Sequence, residues 1–381
     1  MKTIKTMTPV IFLLSFLLCF TACDGDILDE TDSTEQTDPD DNTDNGDNSN
    51  GDDGSTEDGD RQIIENQVYS ETLLIDGHDY DGLIIRNCTF ENITGDGLQI
   101  KNVDNLKVEN CIFRNISMDG IRLRIGTSDN VVIDNNEIYN VQENGILQDK
   151  GHSNTVITNN KIYNVGLDSE NSNAHHGIYL QGKNFVIEGN TIYDVKHVKG
   201  NAISVRSYGE ISRNKIYDCK KNGITYYSDH PGYGGILLIE NNIIYDNAVR
   251  GVQLYDNGDS ANYIGKAIVR FNTIVSKDKS PVGMDESFSN VDLEVFGNIL
   301  IRTDGGDMYI YGPSSFISTT KNLKAGGDIG FVNFEGRNLH LTSTSQARNF
   351  AAGLTEFPEK DFDNGTIRKQ ASLDAGACEI E

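Results

Sequence analysis

The sequence of 381 residues has no tryptophan and only six prolines, six cysteines and seven histidines. Its apolar run at residues 10–20 is too short to cross a membrane as a helix, so no transmembrane span is predicted. The cysteines show no CxxC spacing, which argues against a zinc site. No glycine-rich phosphate loop, Ser-His-Asp order or metalloprotease motif is present. These absences argue against a nucleotide-binding protein and against the common proteases.

The first 23 residues have the pattern of an export signal. Lys2 and Lys5 precede the apolar run, and small Ala22 precedes Cys23. This order resembles bacterial lipoprotein signals, and the resemblance implies that Cys23 carries lipid and that the lipid is the chain's only membrane contact. An ordinary secretory signal cleaved nearby is the alternative.

Residues 24–60 contain 16 acidic residues and no Lys or Arg. A segment so acidic and so poor in apolar residues cannot form a core, and it is predicted to be a solvated, disordered linker. Its start, "CDGD", resembles the acidic export tag of surface lipoproteins, so we expect a bacterial outer-membrane lipoprotein exposed at the cell surface. Without residues 1–60 the chain has 42 acidic and 30 basic residues, which argues against nucleic acid as a partner.

The remaining sequence is repetitive. Segments such as "NNKIYNV" and "GNTIYDV" recur at steps of 23 to 30 residues. Two residues before the apolar position of each segment, the repeats place an Asn or a Cys. These residues are Cys88, Cys111, Asn136, Asn160, Asn190, Asn214, Asn242, Asn272, Asn298 and Asn322. Each repeat has a short apolar strand before this position and another after a Gly, so a repeat contains about three strands.

A unit of three short strands cannot bury its apolar side alone, so we expect the copies to stack as a parallel solenoid of about ten rungs. Equivalent residues then lie about 4.8 Å apart, which lets the Asn side chains form an internal ladder of hydrogen bonds. Cys88 and Cys111 occupy adjacent ladder positions, where a disulfide or two buried thiols would fit. A separate row, expected to pack between rungs, comprises Tyr139, Tyr163, Tyr193, Tyr217 and Tyr245.

From residue 82 to residue 324 the pattern resembles the right-handed parallel β-helix proteins of the pectate-lyase-like superfamily. The ending, "NLHLTSTSQARNFA" with "DFDNGTIR" and "DAGACE", is similar to the ending of many secreted β-helix proteins, although Asn364 stands where Asp is usual. The resemblance implies an all-β, single-stranded right-handed parallel β-helix over residues 61–381. Residues 61–80 are expected to cap the first rung, and residues 325–381 to close the last.

The strand that follows the Gly should present a functional surface, because alternate side chains point outward. One outward row is Gln99, Arg122, Leu147, Tyr179, Ser204, Thr225 and Gln253, and the other is Lys101, Arg124, Asp149, Gln181, Arg206, Tyr227 and Tyr255. Insertions at residues 166–176 and 227–235 are expected to crowd one edge of this sheet. Arg binds carboxylates and Tyr stacks on sugar rings, so the surface is predicted to bind an acidic polysaccharide.

The resemblance implies a polysaccharide lyase that cleaves uronic-acid-containing glycans by β-elimination. This reaction needs a neutralised carboxylate, a base and an acid. His176, Tyr179 or Arg206 is the predicted base, and Tyr227 or His230 the predicted acid. Predicted substrate-binding residues are Arg122, Arg124, His175, Gln181 and Tyr255. Arg124 or Arg206 could neutralise the carboxylate, or Ca²⁺ held by Asp149 could. Removing His176 or Arg206 should then stop turnover and leave the melting temperature nearly unchanged.

Other functions remain open at this point. A C5-epimerase could use the same residues, whereas a glycoside hydrolase is disfavoured because Asp96 has no second aspartate beside it. A non-catalytic adhesin could use the same surface to bind glycans, and a purely structural spacer is the third possibility. Arg124 and Asp149 could form only a surface ion pair, and the two adjacent histidines could only cap a loop. The protein is expected to be a monomer.

Overall fold

The computed structural model describes residues 61–168 and 173–380. The predicted signal peptide, Cys23 and the acidic linker lie outside these residues, as does the stretch 169–172 of the first insertion. Within the described ranges no helix is long and apolar enough to span a membrane. The helices there are three short 3-10 turns, His78–Tyr80, Ser260–Asn262 and Gln370–Ser372.

Three parallel sheets form a solenoid in which each rung adds one strand to each sheet, except that the last rung adds none to the third sheet. The first sheet contains Ile63–Glu65, Ile84–Arg86, Lys107–Glu109, Val132–Asp134, Val156–Thr158, Phe185–Glu188, Gly209–Ser212, Ile236–Glu240, Lys266–Arg270, Asp292–Phe296 and Ile317–Thr320. The second contains Val68–Tyr69, Thr89–Ile93, Ile112–Ile116, Glu137–Val141, Lys161–Val165, Thr191–Val195, Lys215–Tyr217, Ile243–Tyr245, Thr273–Ser276, Ile299–Arg302 and Leu323–Ala325. The third contains Leu73–Asp76, Leu98–Lys101, Ile121–Leu123, Ile146–Gln148, Ile178–Leu180, Ile203–Val205, Ile224–Tyr227, Val252–Tyr255, Val282–Met284 and Ile310–Tyr311.

The register of the strands matches the sequence alignment of the repeats. Ile138 pairs with Ile162, and Ile162 pairs with Ile192, so the apolar positions form continuous inward rows. The rings of Phe90 and Phe113 stack in the same row, with centroids 4.5 Å apart. All these side chains are fully buried, and the solenoid therefore has one continuous hydrophobic core that runs through its rungs.

The internal Asn residues are joined from rung to rung by hydrogen bonds. For example, the Asn190 backbone N–H and side-chain Nδ2 both donate to Asn214 Oδ1, at 2.9 and 3.0 Å, and Asn214 donates in the same way to Asn242. At the N-terminal end of this row the Cys111 N–H donates to Asn136 Oδ1, and the Cys88 N–H donates to Cys111 Sγ. Both cysteines are buried free thiols, so they extend the ladder as sulfur acceptors.

Residues 61–80 were predicted to cap the first rung, but they form it. The strands Ile63–Glu65, Val68–Tyr69 and Leu73–Asp76 each pair with a strand of the next rung. The reason is that the alternating apolar residues of this stretch supply the same inward side chains as later repeats, including buried Leu73 and Ile75. Each of the three strands is the first in its sheet.

The C-terminal segment, residues 326–380, lies along the side of the solenoid. Its hairpin of Phe331–Asn333 and Asn338–Leu341 packs on outward apolar side chains of the second sheet, such as Ile299 and Ile301. Buried Arg368 donates to the carbonyl oxygens of Gly376 and Ala377 and to Asn241 Oδ1 of an earlier rung. The segment therefore covers apolar side chains on the last rungs of the second sheet, which would otherwise face water.

Candidate functional site

The predicted outward rows lie on the outer face of the third sheet, which we call the third-sheet face. In the strand Ile178–Leu180, for example, Ile178 and Leu180 are buried and Tyr179 points outward. The insertion at residues 166–176 precedes a strand of this sheet, whereas the insertion at residues 227–235 follows a strand of the same sheet. Because the strands are parallel, the described parts of the two insertions flank opposite edges of the face. The expectation that they crowd one edge is therefore wrong.

Arg206 is held between two tyrosine rings. Its guanidinium carbon lies 4.5 Å from the ring centroids of both Tyr179 and Tyr227. Its Nε lies 2.5 Å from Asp229 Oδ1, and its Nη1 donates to Ser204 Oγ at 2.8 Å. The side chain is only 6% exposed. Stacking and ion pairing fix this cation in place, and Asp229 balances its charge, so Arg206 cannot act as a base.

Tyr227 also belongs to a second group, with Lys221 and Tyr255. The rings of Tyr227 and Tyr255 stack with centroids 4.7 Å apart. Lys221 Nζ donates to Tyr227 Oη at 2.8 Å and lies 4.9 Å from the centroid of Tyr255. Burial raises the pKa of Tyr227, an effect that the nearby Arg206 opposes. Tyr227 is therefore a protonated phenol at neutral pH, with an ammonium group beside its oxygen.

Lys221 was not among the predicted site residues. It precedes Gly223 in the turn before the strand Ile224–Tyr227, so it lies outside the alternating rows from which the site was predicted. Its side chain reaches the third-sheet face across the turn and meets a tyrosine six residues further along the chain. The sequence did contain a signal for Lys221, because it is a basic residue two positions before the Gly of an aromatic-rich repeat.

The arrangement of the tyrosines changes how a sugar could meet this face. The Tyr227 ring lies between Arg206 and Tyr255, at 4.5 and 4.7 Å, so its faces are already occupied. Arg206 stacks on Tyr179, and the hydroxyls of Tyr227 and Tyr255 accept from Lys221 Nζ and Asn222 Nδ2 at 2.8 and 3.4 Å. The prediction that these rings stack on sugars is therefore wrong for Tyr227 and stays a prediction for Tyr179 and Tyr255.

His176 belongs to a second internal row of hydrogen bonds, which we call the His176 ladder. Its members are Asp96, Asp119, Asn144, His176, Asn201 and Asn222. The His176 N–H donates to Asn144 Oδ1 at 2.7 Å, and the Asn201 N–H donates to His176 Nδ1 at 3.0 Å. The imidazole thus takes the place of an Asn or Asp oxygen in a turn that repeats in every rung.

These contacts exclude His176 as the general base. Burial and the nearby cations Arg206 and Lys221 lower its pKa well below the usual range, so the ring is neutral. Because Nδ1 accepts from Asn201, the single ring proton is on Nε2. No ring nitrogen has a free lone pair for a substrate proton. Both His176 and Arg206 are buried and bonded, so the structure leads us to expect that removing either side chain lowers the melting temperature.

His175 faces the interior rather than a substrate. It is 3% exposed, and its ring meets the edge of the His197 ring at 5.1 Å. Among the described residues neither of its ring nitrogens has a hydrogen-bond partner. Burial, together with His197, lowers its pKa. His175 therefore does not line the third-sheet face, and the structure corrects its predicted role in substrate binding.

Arg122 and Asp149 form an ion pair near the N-terminal end of the third-sheet face. Arg122 Nη2 lies 3.2 Å from Asp149 Oδ2, and Arg122 Nη1 lies 3.8 Å from Asp119 Oδ2. Burial raises the pKa of Asp119 to about 7. The predicted partner of Asp149 was Arg124, which instead is exposed and donates to Gln99 Oε1 at 3.1 Å.

The surroundings of Asp149 do not fit a Ca²⁺ ion. Calcium takes six to eight oxygen ligands, roughly, and several of them are normally carboxylates. Asp149 is matched by a guanidinium, and in the described part of the chain it belongs to neither group of three convergent metal-ligating side chains. We therefore assign no Ca²⁺ site to this residue.

The other predicted residues lie at the margins of the face. Gln181 is half-buried just after the strand that carries Tyr179, and its side chain bonds with that tyrosine. His230 is half-buried in the loop that follows Tyr227, next to Asp229 in the chain. The structure thus places four predicted residues, Tyr179, Arg206, Tyr227 and Tyr255, in one group with Lys221. His175 is buried outside this group, and Arg122 and Asp149 form an ion pair of their own.

The sequence matches the family model described as "Right handed beta helix region" over residues 47–174 and 124–320. These matches cover more than half of the chain, and the chain belongs to this family. The right-handed, all-β solenoid that the family resemblance implied is thereby confirmed. No curated protein matches the sequence.

Two crystal structures have a similar fold. The one described as pectate lyase Pel9A has 13% sequence identity and a TM-score of 0.59, with 84% of this chain and 87% of that chain covered. The complex of XylC with xylose has 12% identity and a TM-score of 0.52, with 78% and 65% covered. At these identities the likeness establishes the pectate-lyase-like β-helix fold and leaves the activity to be argued from the site.

Proposed function

We propose that the protein binds an acidic, uronic-acid-containing polysaccharide along the third-sheet face and cleaves it by β-elimination. The observation that carries the proposal is the contiguous group of Tyr179, Arg206, Tyr227, Lys221 and Tyr255, in which cations alternate with phenols. The similar fold of a protein described as a pectate lyase supports the same class of substrate.

Binding of the polysaccharide would depend on the cationic side chains whose N–H groups are not all used within the protein. Lys221 Nζ has three N–H groups, one of which bonds with Tyr227. Arg250, two rungs beyond Arg206, lies half-buried with its guanidinium 5.3 Å from the centroid of Tyr311. Arg206 is already neutralised by Asp229 and so orders the tyrosines more than it attracts substrate. A chain of uronates running along the solenoid would place successive carboxylates near Lys221 and Arg250.

The elimination step can be assigned to residues of this face. A base removes the proton from C5, a double bond forms between C4 and C5, and the bond from C4 to the glycosidic oxygen breaks. Tyr227 holds a proton at neutral pH and donates it to the leaving oxygen, while the Lys221 ammonium stabilises the phenolate as it forms. His230 is the base in this proposal, because His176, Arg206 and Tyr179 are committed to other contacts.

The test is incubation of the purified protein with several polyuronides and with a neutral glucan as control. Cleavage by elimination produces an unsaturated uronate that absorbs in the ultraviolet. Tyr227→Phe and Lys221→Met should each lower turnover by roughly 100-fold or more. Tyr193→Phe is the matched control, since it removes a hydroxyl from a stacked ring of the second sheet. If the wild type and all three variants form the ultraviolet-absorbing product at the same rate, the assignment of the site is wrong.

Binding without cleavage is the second candidate, and one observation favours it. All three predicted bases, His176, Tyr179 and Arg206, are engaged in contacts within the protein. The base of the proposed reaction is therefore His230, which the sequence predicted as an acid. If polyuronides bind, lose affinity on Lys221→Met and yield no unsaturated product, the protein is a glycan-binding surface protein. If none binds, the face has a structural role.

We also propose that the mature protein is a monomer anchored in the bacterial outer membrane by lipid on Cys23, with the acidic linker holding the solenoid at the cell surface. Residues 1–60 lie outside the described structure, so this proposal rests on the sequence pattern. Labelling with a fatty acid should mark the wild type and not Cys23→Ala. Surface protease treatment of intact cells should release the solenoid, and retention inside the cell would contradict the proposed location.

A further inference from the structure

A group of three potential metal ligands lies in the C-terminal segment, away from the third-sheet face. His340, Asp363 and Cys378 bring a ring nitrogen, a carboxylate oxygen and Sγ to within 4.8 Å of one another. His340 lies on the strand Asn338–Leu341, Asp363 in a later turn, and Cys378 near the end of the chain. Folding of this segment thus brings together residues that are up to 38 positions apart in the sequence.

The orientation of His340 is fixed by Asn338. Asn338 Oδ1 accepts from the His340 backbone N–H at 3.3 Å and lies 2.7 Å from His340 Nδ1. An amide oxygen only accepts, so the ring proton is on Nδ1 and the lone pair of Nε2 points the other way. Metal-binding histidines are commonly held by a hydrogen bond of this kind to their second nitrogen.

The atoms opposite Nε2 are acceptors. Asp363 Oδ2 lies 2.9 Å from His340 Nε2, and two lone pairs at this distance repel unless a proton or a metal ion lies between them. The third group, the Cys378 thiol, is 2% exposed and makes no hydrogen bond within the described part of the chain. A buried sulfur without a polar partner therefore lies beside a nitrogen and an oxygen that must share a proton or a metal ion.

We propose that His340, Asp363 and Cys378 bind one Zn²⁺ ion. Zinc takes nitrogen, sulfur and carboxylate ligands at about 2.0 to 2.3 Å in a tetrahedron, which requires the ligand atoms to be about 3.3 to 3.8 Å apart. The present separations need to change by only about an ångström. His340 and Asp363 are half-exposed, with side-chain exposures of 43% and 50%, so water completes the tetrahedron. On binding, the Cys378 thiol gives its proton to the solvent and its sulfur bonds to the metal.

Such an ion would join three parts of the C-terminal segment. These ligands are far apart in the sequence, unlike those of the usual closely spaced zinc motifs, so a search for CxxC does not find the site. A second convergent group, His78, Asp81 and Asp104, has no sulfur and is largely exposed, and it serves as the control.

The test is titration of the metal-free full-length protein with Co²⁺, whose bond to a thiolate produces a strong charge-transfer absorption. The wild type should show this band with one Co²⁺ per chain, and Zn²⁺ should displace it. Cys378→Ser should lose the band, while Cys219→Ser, which removes a buried thiol elsewhere, and His78→Gln should keep it. Asn338→Ala should weaken Zn²⁺ binding roughly 10- to 100-fold.

A structural effect of the substitutions is checked by the far-ultraviolet circular dichroism and melting temperature of each metal-free variant. His340→Gln provides a second route if Cys378→Ser fails to fold, and it should weaken Zn²⁺ binding at least about tenfold. Absence of the thiolate band in folded wild type, or a band that persists in folded Cys378→Ser, overturns the proposal. Because the site lies on another part of the molecule, these outcomes do not depend on whether the protein cleaves a polysaccharide.

Discussion

The second sheet carries, at the C-terminal ends of its strands, a row of residues in which three aspartates follow four asparagines. The asparagines are joined by side-chain hydrogen bonds: Asn115 donates to Asn92, Asn140 to Asn115, and Asn164 to Asn140. The row continues with Asp194, Asp218 and Asp246, which share the same left-handed backbone with φ between 53° and 58°. A carboxylate cannot donate, so the pattern of hydrogen bonds stops where the charges begin.

We predict that Asp218→Asn stabilises the protein. Asp194 is paired with Lys196 and Asp246 with Arg337, but Asp218 lies between two like charges, and its pKa is raised by burial and by both neighbours. At about 4.8 Å in water, each repulsion is worth about 0.9 kcal/mol, and salt and the paired cations reduce the sum to about 0.5 kcal/mol. A new amide donor to Asp194 adds about 0.5 to 1 kcal/mol. The total gain is about 1 kcal/mol, or about 2 °C.

Thermal and urea unfolding followed by circular dichroism would measure this gain. Because the native pKa of Asp218 is raised, its charge destabilises the native state above that pKa, and protonation removes the penalty as the pH falls. The advantage of Asp218→Asn should therefore be present at about pH 7 and shrink toward about pH 4. Asp246→Asn is the control and should be destabilising, since it breaks the bidentate contact with Arg337. A gain for Asp218→Asn that is absent at both pH values would refute the reasoning.

Three further substitutions test buried polar contacts. Asn214→Ala should destabilise the protein by about 3 kcal/mol, since it leaves the Asn190 N–H and the Ile187 carbonyl unpaired in the core. Arg368→Met should destabilise the protein by about 3 kcal/mol near neutral pH, because it leaves the Glu379 carboxylate without its cation. Burial raises the pKa of Glu379 to about 7, so this loss of stability should shrink as the pH falls and Glu379 is protonated. His176→Ala should cost about 2 kcal/mol, because Asn201 loses its acceptor. Urea unfolding measures all three.

Each of these variants has a matched control at an exposed position. Asn257→Ala, Arg348→Met and His78→Ala remove the same side chains from the surface and should change stability by less than about 0.5 kcal/mol. Equal losses in a buried variant and its control would mean that the ladder or ion-pair contacts do not contribute as described. The His176 comparison also separates a structural histidine from a catalytic one, since the latter could be removed without lowering the melting temperature.

The fold was predictable because one-dimensional repetition fixes the register. Once Asn136, Asn160 and Asn190 are aligned, the solenoid geometry decides which side chains point inward, and the structure has Ile138, Ile162 and Ile192 in line as expected. The first rung was misassigned because its Asn position is missing. Residues 63–76 supply the apolar side chains but not the motif used for alignment.

The site was less predictable because its character depends on what each side chain meets across the rungs. Alternation placed Tyr179, Arg206 and Tyr227 on one face, but it could not show that their rings and charge satisfy one another. His176 was assigned to chemistry because histidine is rare here, whereas the turn uses it as a replacement for Asn. Lys221 was missed because it reaches the face from a turn.

The two ends of the solenoid are secured unequally. At the last rungs, Arg368 bonds to Asn241 and lies 4.6 Å from the centroid of Phe271, and Arg337 holds Asp246, so the chain end is fastened back onto earlier rungs. At the first rung, each strand pairs on one side only with a strand of the described structure. Opening at the last rungs must first detach the C-terminal segment, whereas opening at the first rung breaks one row of pairs. Amide exchange at the last strands of the second sheet should therefore be limited by the detachment of the C-terminal segment.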